Sequence, residues 1–245
     1  MSPQARAFEG STAVVTGGGT GVGAAVALAL ASAGANLHLI GRRVNMLDAI
    51  GARARTMGVQ ATSHPADLST SCGQLELTQR LAQVLSSVDI LIQNAGIHFA
   101  SALAQAKLDE LDALFVTNVR APYALTQALL PMLKARQGQV VFINSSSALL
   151  AKPLTAQYDA TKHALKAIAD ALRGEVNADG IRVLSVYLGR TATEMQERIH
   201  KIENKPYRPE LLLQPADVAY VIMNALSMPR TAEVTDIHIR PMIKT

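Results

Sequence analysis

Tyr158 and Lys162 stand four residues apart in the stretch Pro153 to Val176, which has helical periodicity. Both side chains therefore leave the same face of one helix. A phenol beside an ammonium suits proton transfer at oxygen. Reducing a carbonyl needs a proton donor, and oxidising an alcohol needs the reverse. A free phenol, with a pKa of about 10, is a sluggish base at neutral pH. A nearby ammonium favours the phenolate, and a drop of about three units corresponds to roughly 4 kcal/mol of differential interaction. Ser145 lies thirteen residues before Tyr158, at the end of an apolar run. Its hydroxyl suits holding the reacting oxygen, and the adjacent Ser146 and Ser147 carry the same group. Asn118 sits inside the helical pattern Leu111 to Leu133, where Asn is a poor helix former, so a cap or packing role is the alternative to a chemical one.

A second chemical feature lies near the N-terminus. Thr16-Gly17-Gly18-Gly19-Thr20-Gly21-Val22-Gly23 joins an apolar run, Ala13 to Thr16, to a helical pattern from about Val22 to Ala33. Glycines are needed where the backbone takes positive φ or where a Cβ would block a pyrophosphate. The helix start then offers free N–H groups to phosphates. A phosphate-hydrolysing loop needs Lys-Ser or Lys-Thr after the last glycine, and Ala24-Ala25 follow instead. After the next β-branched run, Asn36 to Ile40, the place of an acidic ribose-binding residue is held by Gly41, with Arg42 and Arg43 behind it. A carboxylate there would repel a 2′-phosphate, whereas guanidinium groups bind it. NADP(H) is thus the expected cofactor, with NAD(H) also possible.

The elements that must position these groups alternate. Strands are expected at Ala13–Thr16, Asn36–Ile40, Val59–Ser63, Asp89–Gln93, Gln139–Asn144, Arg182–Tyr187 and Val234–Ile239. Helical stripes such as Leu165, Ile168, Ala169, Leu172 and Val176 lie between them. This pattern predicts an α/β fold of Rossmann-like, doubly wound type, with a mostly parallel seven-stranded sheet and helices on both faces. With 49% hydrophobic and 17% charged residues, the whole chain, 1–245, reads as a single domain. The Pro-spaced segment 191–215 reads as a substrate lid, with Met195, Ile199, Ile202 and Leu211 to Leu213 lining an apolar pocket.

Several classes are disfavoured. The net charge of +4 comes from scattered residues, which argues against nucleic acid as a partner. The run from Ser11 to Gly41 lacks Asp, Glu, Lys and Arg, but glycines, Asn36 and His38 interrupt it, so no membrane association is expected. The start, MSPQARAFEG, has no apolar signal core, and the lone Cys72 reads as a non-catalytic thiol, so a cytoplasmic location is expected. The six histidines are dispersed, and no metal site is expected.

The spacing Thr16-Gly-x-x-x-Gly21-x-Gly23 resembles the cofactor motif of the short-chain dehydrogenase/reductase family, in its compact branch, and further motifs follow in the family's order. Asp67 resembles the acid that contacts adenine, Gln93-Asn94-Ala95-Gly96 resembles the motif ending the fourth strand, and Leu188-Gly189 with Thr193 resembles a Pro-Gly-x-x-x-Thr pattern. Asn118, Ser145, Tyr158 and Lys162 fall where the family has its catalytic tetrad. Gln93, Ala148 and Leu188 depart from the pattern, as does Thr20, where many NADP-preferring relatives carry a basic residue. The resemblance implies a carbonyl/alcohol oxidoreductase with Tyr158 as acid/base and Lys162 on the nicotinamide ribose. Asn118 would anchor a water in the proton relay. Cofactor contacts are implied for Gly17, Gly19, Thr20, Gly21, Val22, Gly23, Arg42, Arg43, Asp67, Leu68, Asn94, Ala95, Gly96, Tyr158, Lys162, Gly189, Thr191 and Thr193. The expected substrate is a small or medium apolar carbonyl or secondary alcohol. A non-catalytic NADP(H)-binding sensor or scaffold is the alternative, disfavoured because the tetrad is whole. A nucleotide-sugar epimerase or dehydratase belongs to a longer branch. A homodimer or homotetramer is expected, through the helices Leu108–Lys134 and Pro153–Val176.

Overall fold

The structure, a computed structural model, describes residues 6–243. Its strands are β1 (Thr12–Thr16), β2 (Asn36–Gly41), β3 (Ala61–Pro65), β4 (Ile90–Gln93), β5 (Gln139–Ser145), β6 (Arg182–Leu188) and β7 (Asp236–Ile239). Its α-helices are α1 (Gly21–Ser32), α2 (Val44–Thr56), α3 (Ser71–Val84), α4 (Leu108–Phe115), α5 (Ala121–Arg136), α6 (Ala156–Val176), α7 (Glu194–Ile202) and α8 (Pro215–Leu226). The strands form one sheet in the order β3-β2-β1-β4-β5-β6-β7, and every pairing is parallel. The central strands are apolar along their length because both faces are covered. Val14 and Val15, successive residues of β1, are each fully buried, one in each of two cores.

One core joins the sheet to α1, α2 and α8 through Leu30, Leu47 and Ile222. The other joins it to α3, α5 and α6 through Leu81, Leu129 and Leu165. Burying one such side chain contributes roughly 1.5–3 kcal/mol. The fold is thus the expected Rossmann-like, doubly wound one. Strand order reverses direction between β1 and β4, and a cleft opens there beyond the carboxyl ends of the strands.

Element ends differ from the sequence expectation by more than one residue in four places. β3 starts at Ala61 because Val59 and Gln60 follow the left-handed Gly58 (φ +87°) and lead into the strand, and it ends at Pro65, tolerated because β3 is an edge. β7 is shorter, starting at Asp236. Helix α6 begins at Ala156, after Leu154 takes a left-handed φ of +71°. The pattern Leu108–Lys134 is not one regular helix: α4 and α5 are joined by a π turn, Val116–Arg120, in which the Ala121 N–H donates to the carbonyl of Val116. The surface of this pair exposes Leu108, Phe115 and Tyr123.

On β2 and β3, His38 Nδ1 and His64 Nε2 are hydrogen-bonded at 2.9 Å, with the rings stacked. Burial, and then the neighbouring His38 and Arg80, lower the His64 pKa from 6.5 to about 4. Between those values the unfolded chain binds a proton that the folded chain refuses, so stability falls as pH drops from 6.5 towards 4. His64→Gln should flatten part of that loss, as read by urea denaturation at pH 7 and 4.5. A loss identical to the parent's would refute the assignment.

Candidate active site

The glycine turn after β1 is shaped by close approach. Gly17 (φ +65°) and Gly21 (φ +55°) have left-handed backbones. A Cβ on Gly17 would lie 2.6 Å from Asn94 Nδ2, and one on Gly23 would lie 2.2 Å from the carbonyl of Gly17. Thr16 locks this turn to the end of β4. Its hydroxyl accepts from the N–H groups of Asn94 (2.8 Å) and Ala95 (3.0 Å) and donates to the Ile92 carbonyl. Asn94 Nδ2 donates back to the Thr16 and Gly17 carbonyls. Thr20, at the start of α1, gives no side-chain cap, and the first turn carries no acid. Gly19, Thr20, Gly21 and Val22 line the cleft, and the free N–H groups of the helix start make this wall a cradle that fits a pyrophosphate.

Arg42, Arg43, Asp67 and Leu68 line the far end of the same cleft. Hydrogen bonds from the Ser69 hydroxyl and N–H, and then the Arg42 charge, hold the Asp67 carboxyl below its usual range. Arg42 makes no ion pair among the described residues. The Arg43 guanidinium instead reaches Thr20 Oγ1 (3.1 Å) and Glu194 of α7 (3.1 Å). A basic group therefore lies beside Thr20 although residue 20 is not itself basic.

At the opposite end, β5 delivers Ser145 and α6 delivers Tyr158 and Lys162 into the cleft. Burial pushes the Tyr158 phenol up to about 12, against the opposing effect of a Ser145 hydrogen bond. Of the three adjacent serines, Ser145 is the one whose hydroxyl bears on the phenol. Burial also lowers Lys162 to about 8. Its Nζ lies 5.7 Å from the Tyr158 ring centroid and donates to the Ile143 carbonyl at 3.4 Å. Asn144, which sequence reasoning missed, braces the pair by accepting from the Ser145 N–H and donating to the Lys162 carbonyl.

Asn118 sits in the π turn. Its side chain accepts from the Ile97 N–H (2.9 Å) and donates to the Ile97 carbonyl (3.0 Å) and Thr161 Oγ1 (3.2 Å). The amide is fully used as a brace between the chain after Gly96 and α6. The Asn118 main-chain carbonyl lacks its ordinary helical donor, because residue 122, four positions on, is proline. The departures from the family pattern are absorbed locally. Buried Gln93 donates to the Pro122 carbonyl and Thr126, Ala148 is buried, and Leu188 ends β6 beside the cleft.

Gly189 has no room for a side chain, since a Cβ would lie 2.9 Å from Arg240 Cβ. Thr191 is buried and bridges to Leu213, while Thr193 caps α7 and lies against Gly21. Arg190, between them, bonds Glu203 Oε1 and Oε2 at 2.8 and 2.7 Å, tying the end of α7 to its beginning. The residues expected to line an apolar lid divide between the cleft and its surroundings. Met195 and Ile199 line the cleft, but Ile202 is 61% exposed, and Leu212 and Leu213 are buried away from the cleft lining. Polar groups unforeseen from the sequence take that space: His98, Lys152, Gln196 and Glu203.

Elsewhere, Cys72 is exposed, and its hydrogen bond to Glu76 raises the thiol. Among the described residues no helix is long and apolar enough to cross a membrane, and no group of three metal-ligating side chains occurs.

Comparison with known proteins gives a consistent result. A family model described as short chain dehydrogenase matches residues 11–204. An uncharacterized oxidoreductase of Staphylococcus aureus (strain USA300) is 29% identical over 231 residues, covering 94% of this chain and 96% of its own. Dehydrogenase/reductase SDR family member 7B of Bos taurus is 35% identical over 193 residues, 76% of this chain and 59% of its own. Among solved structures, an alcohol dehydrogenase from the archaeon Thermococcus sibiricus, complexed with 5-hydroxy-NADP, superposes with a TM-score of 0.86 at 25% identity, over 96% of this chain and 98% of its own. A short chain dehydrogenase from Burkholderia cenocepacia J2315 in complex with NADP gives 0.84 at 28% identity, over the same shares.

Proposed function

Since the chain belongs to the short-chain dehydrogenase/reductase family and is a nicotinamide-dependent oxidoreductase, we propose that it interconverts a carbonyl and an alcohol with NADP(H), using Tyr158 as the acid/base. The observation that carries this reading is the convergence of Ser145, Tyr158 and Lys162 on the cleft that the glycine turn opens.

The glycine turn and the start of α1 would hold the pyrophosphate, and Lys162 the nicotinamide ribose. The bound nicotinamide supplies or takes the hydride. Ser145 holds the substrate oxygen by a hydrogen bond next to Tyr158. In reduction Tyr158 gives its proton to that oxygen, and in oxidation it takes the proton back. A phenol held near 12 before cofactor binds is fully protonated at neutral pH, so it is ready as a donor. Oxidation requires that value to fall, and the Lys162 ammonium together with a cationic nicotinamide would favour the phenolate. The Asn118 main-chain carbonyl is suited to hold a water linking Lys162 to solvent. A purified protein that binds NADPH but reduces no ketone or aldehyde in a broad absorbance panel, and oxidises no alcohol, would sink this reading.

Preference for NADP(H) over NAD(H) is supported by Arg42 and Arg43 at the adenosine end, and by relatives crystallised with NADP or NADPH. Arg42→Ala should weaken NADPH by about 1.5 kcal/mol, roughly tenfold, with little change for NADH, because one exposed charge-assisted partner is lost. Glu194→Gln should do the opposite. Glu194 competes for Arg43, and removing an exposed ion pair of about 0.2–1 kcal/mol frees that guanidinium for the 2′-phosphate. Titrating both cofactors by nicotinamide fluorescence decides the matter, and tighter NADH than NADPH binding by the parent protein would defeat it.

A further inference from the structure

The cleft is cationic along its whole length, from Arg42 and Arg43 at the adenosine end to the side chains nearer Tyr158. Arg42, Arg43, Lys152, Lys162, Arg190 and Arg198 line the cleft against only Asp67, Glu194 and Glu203. Each carboxylate is already satisfied within the protein: Asp67 by Ser69, Glu194 by Arg43, and Glu203 by Arg190 and Lys205. Lys152 has no ion-pair partner among the described residues, yet its backbone is fixed. Its N–H donates to Asp159 Oδ2 at 2.8 Å, and its carbonyl accepts from Thr155 Oγ1. Asp159 follows Tyr158 directly, so the backbone of Lys152 is pinned to the helix turn that carries the acid/base while its ammonium has no ion-pair partner among the described residues.

His98 approaches the same phenol from the loop after β4. Its ring packs edge-on against the Tyr158 ring with centroids 4.6 Å apart. Neither ring nitrogen has a hydrogen-bond partner among the described residues. Burial lowers its pKa, Asp159 and Glu203 pull it back up, and Lys162 opposes them. The imidazole is therefore neutral at pH 7 and offers one N–H and one lone pair. Lys152 and His98, each without a side-chain partner among the described residues, thus line the same cleft as Tyr158, where the substrate oxygen must meet the phenol.

We propose that Lys152 and His98 bind a carboxylate of the substrate, which is an oxo acid in reduction and the matching hydroxy acid in oxidation. This rests on the carbonyl–alcohol reading above and narrows its substrate class. The carboxylate is a spectator. The carbonyl carbon gains the hydride from the nicotinamide, its oxygen gains the Tyr158 proton, and the carboxylate serves only to orient the two. A charge-assisted contact of this kind, added to a neutral hydrogen bond, fixes which face of the carbonyl is presented.

The test uses matched pairs of 3-oxo and 4-oxo acids and their methyl esters. Each is titrated calorimetrically into Tyr158→Phe protein saturated with NADPH, and assayed for turnover with the parent enzyme. The acids should bind at least tenfold tighter than their esters, and added salt should erode that advantage. Lys152→Gln and His98→Asn should each cut the acid-to-ester ratio several-fold, with melting temperature and NADPH affinity as checks of folding. A ratio of one or below, no detectable binding of any acid, or a ratio unmoved by both variants overturns the inference. Turnover of simple ketones without preference for acids defeats this inference alone, whereas turnover of nothing defeats the underlying reading.

Discussion

Tyr158→Phe is expected to cut kcat by roughly a hundred- to ten-thousand-fold, the span that a positioned proton donor contributes, while NADPH affinity stays nearly unchanged. The substitution removes one oxygen. The ring keeps its edge contact with His98 and its place on α6, and Lys162 keeps its bond to the Ile143 carbonyl. Ser145 keeps its contact with the Ser147 N–H, so the loop after β5 has no reason to move. Because the lost interaction matters most where the proton moves, kcat should fall much more than KM rises. Steady-state kinetics on a confirmed substrate, with NADPH titrated separately, checks this. Parental rates in the Phe variant would remove Tyr158 from the mechanism.

Lys162→Met should do something less usual, destroying turnover while making the cofactor-free protein more stable. Lys162 is 6% exposed, and burial brings its pKa from 10.5 to about 8. The folded state therefore gives up its proton before the unfolded state does. Stability rises as pH climbs from about 8 towards 10.5, and the full penalty for the buried charge applies below 8. A shift of that size corresponds to roughly 3 kcal/mol at neutral pH, as an upper bound. Tyr158 acts oppositely at higher pH, since its phenol is raised to about 12 and stability declines as pH passes 10. Methionine fills the space of the lysine stem without the charge, so the melting temperature at pH 7 should increase and its rise between pH 8 and 10 should vanish. Weaker NADPH binding should accompany the gain. Lower stability for Lys162→Met at pH 7 would mean that the ammonium is held by more than the Ile143 carbonyl.

Much of this was legible beforehand because it rests on local rules. Parallel strands covered on both faces announce themselves as apolar runs, and the glycine turn follows from the backbone approach that Gly17 and Gly23 permit. The helix spacing of Tyr158 and Lys162 requires no tertiary knowledge. What escaped depends on partners distant in sequence. Nothing near Arg43 reveals that Glu194, 151 residues on, will share its guanidinium. Leu212 and Leu213 carry the same apolar signature as Met195, but backbone bonds of Leu213 to Arg190 and Ala192 turn them into the core instead of the cleft. His98 and Lys152 are ordinary loop residues until α6 is folded beside them. For Asn118 the residue itself gave one hint, a poor helix former in mid-helix, and the rest came from its place in the family's motif order.

The π turn at Val116–Arg120 makes chain length itself a constraint. Relative to an ordinary helix it holds one surplus residue, and losing that residue would give a smooth helix with conventional backbone bonds. The turn absorbs its extra residue locally, so the loss would leave the flanking helix faces in place and redirect the residues of the turn itself. Asn118 would then point away from Ile97 and Thr161, even as helicity improved. A chain one residue shorter here would thus keep the fold while losing the Asn118 brace between the chain after Gly96 and α6. The number of residues in this segment therefore matters as much as their kinds.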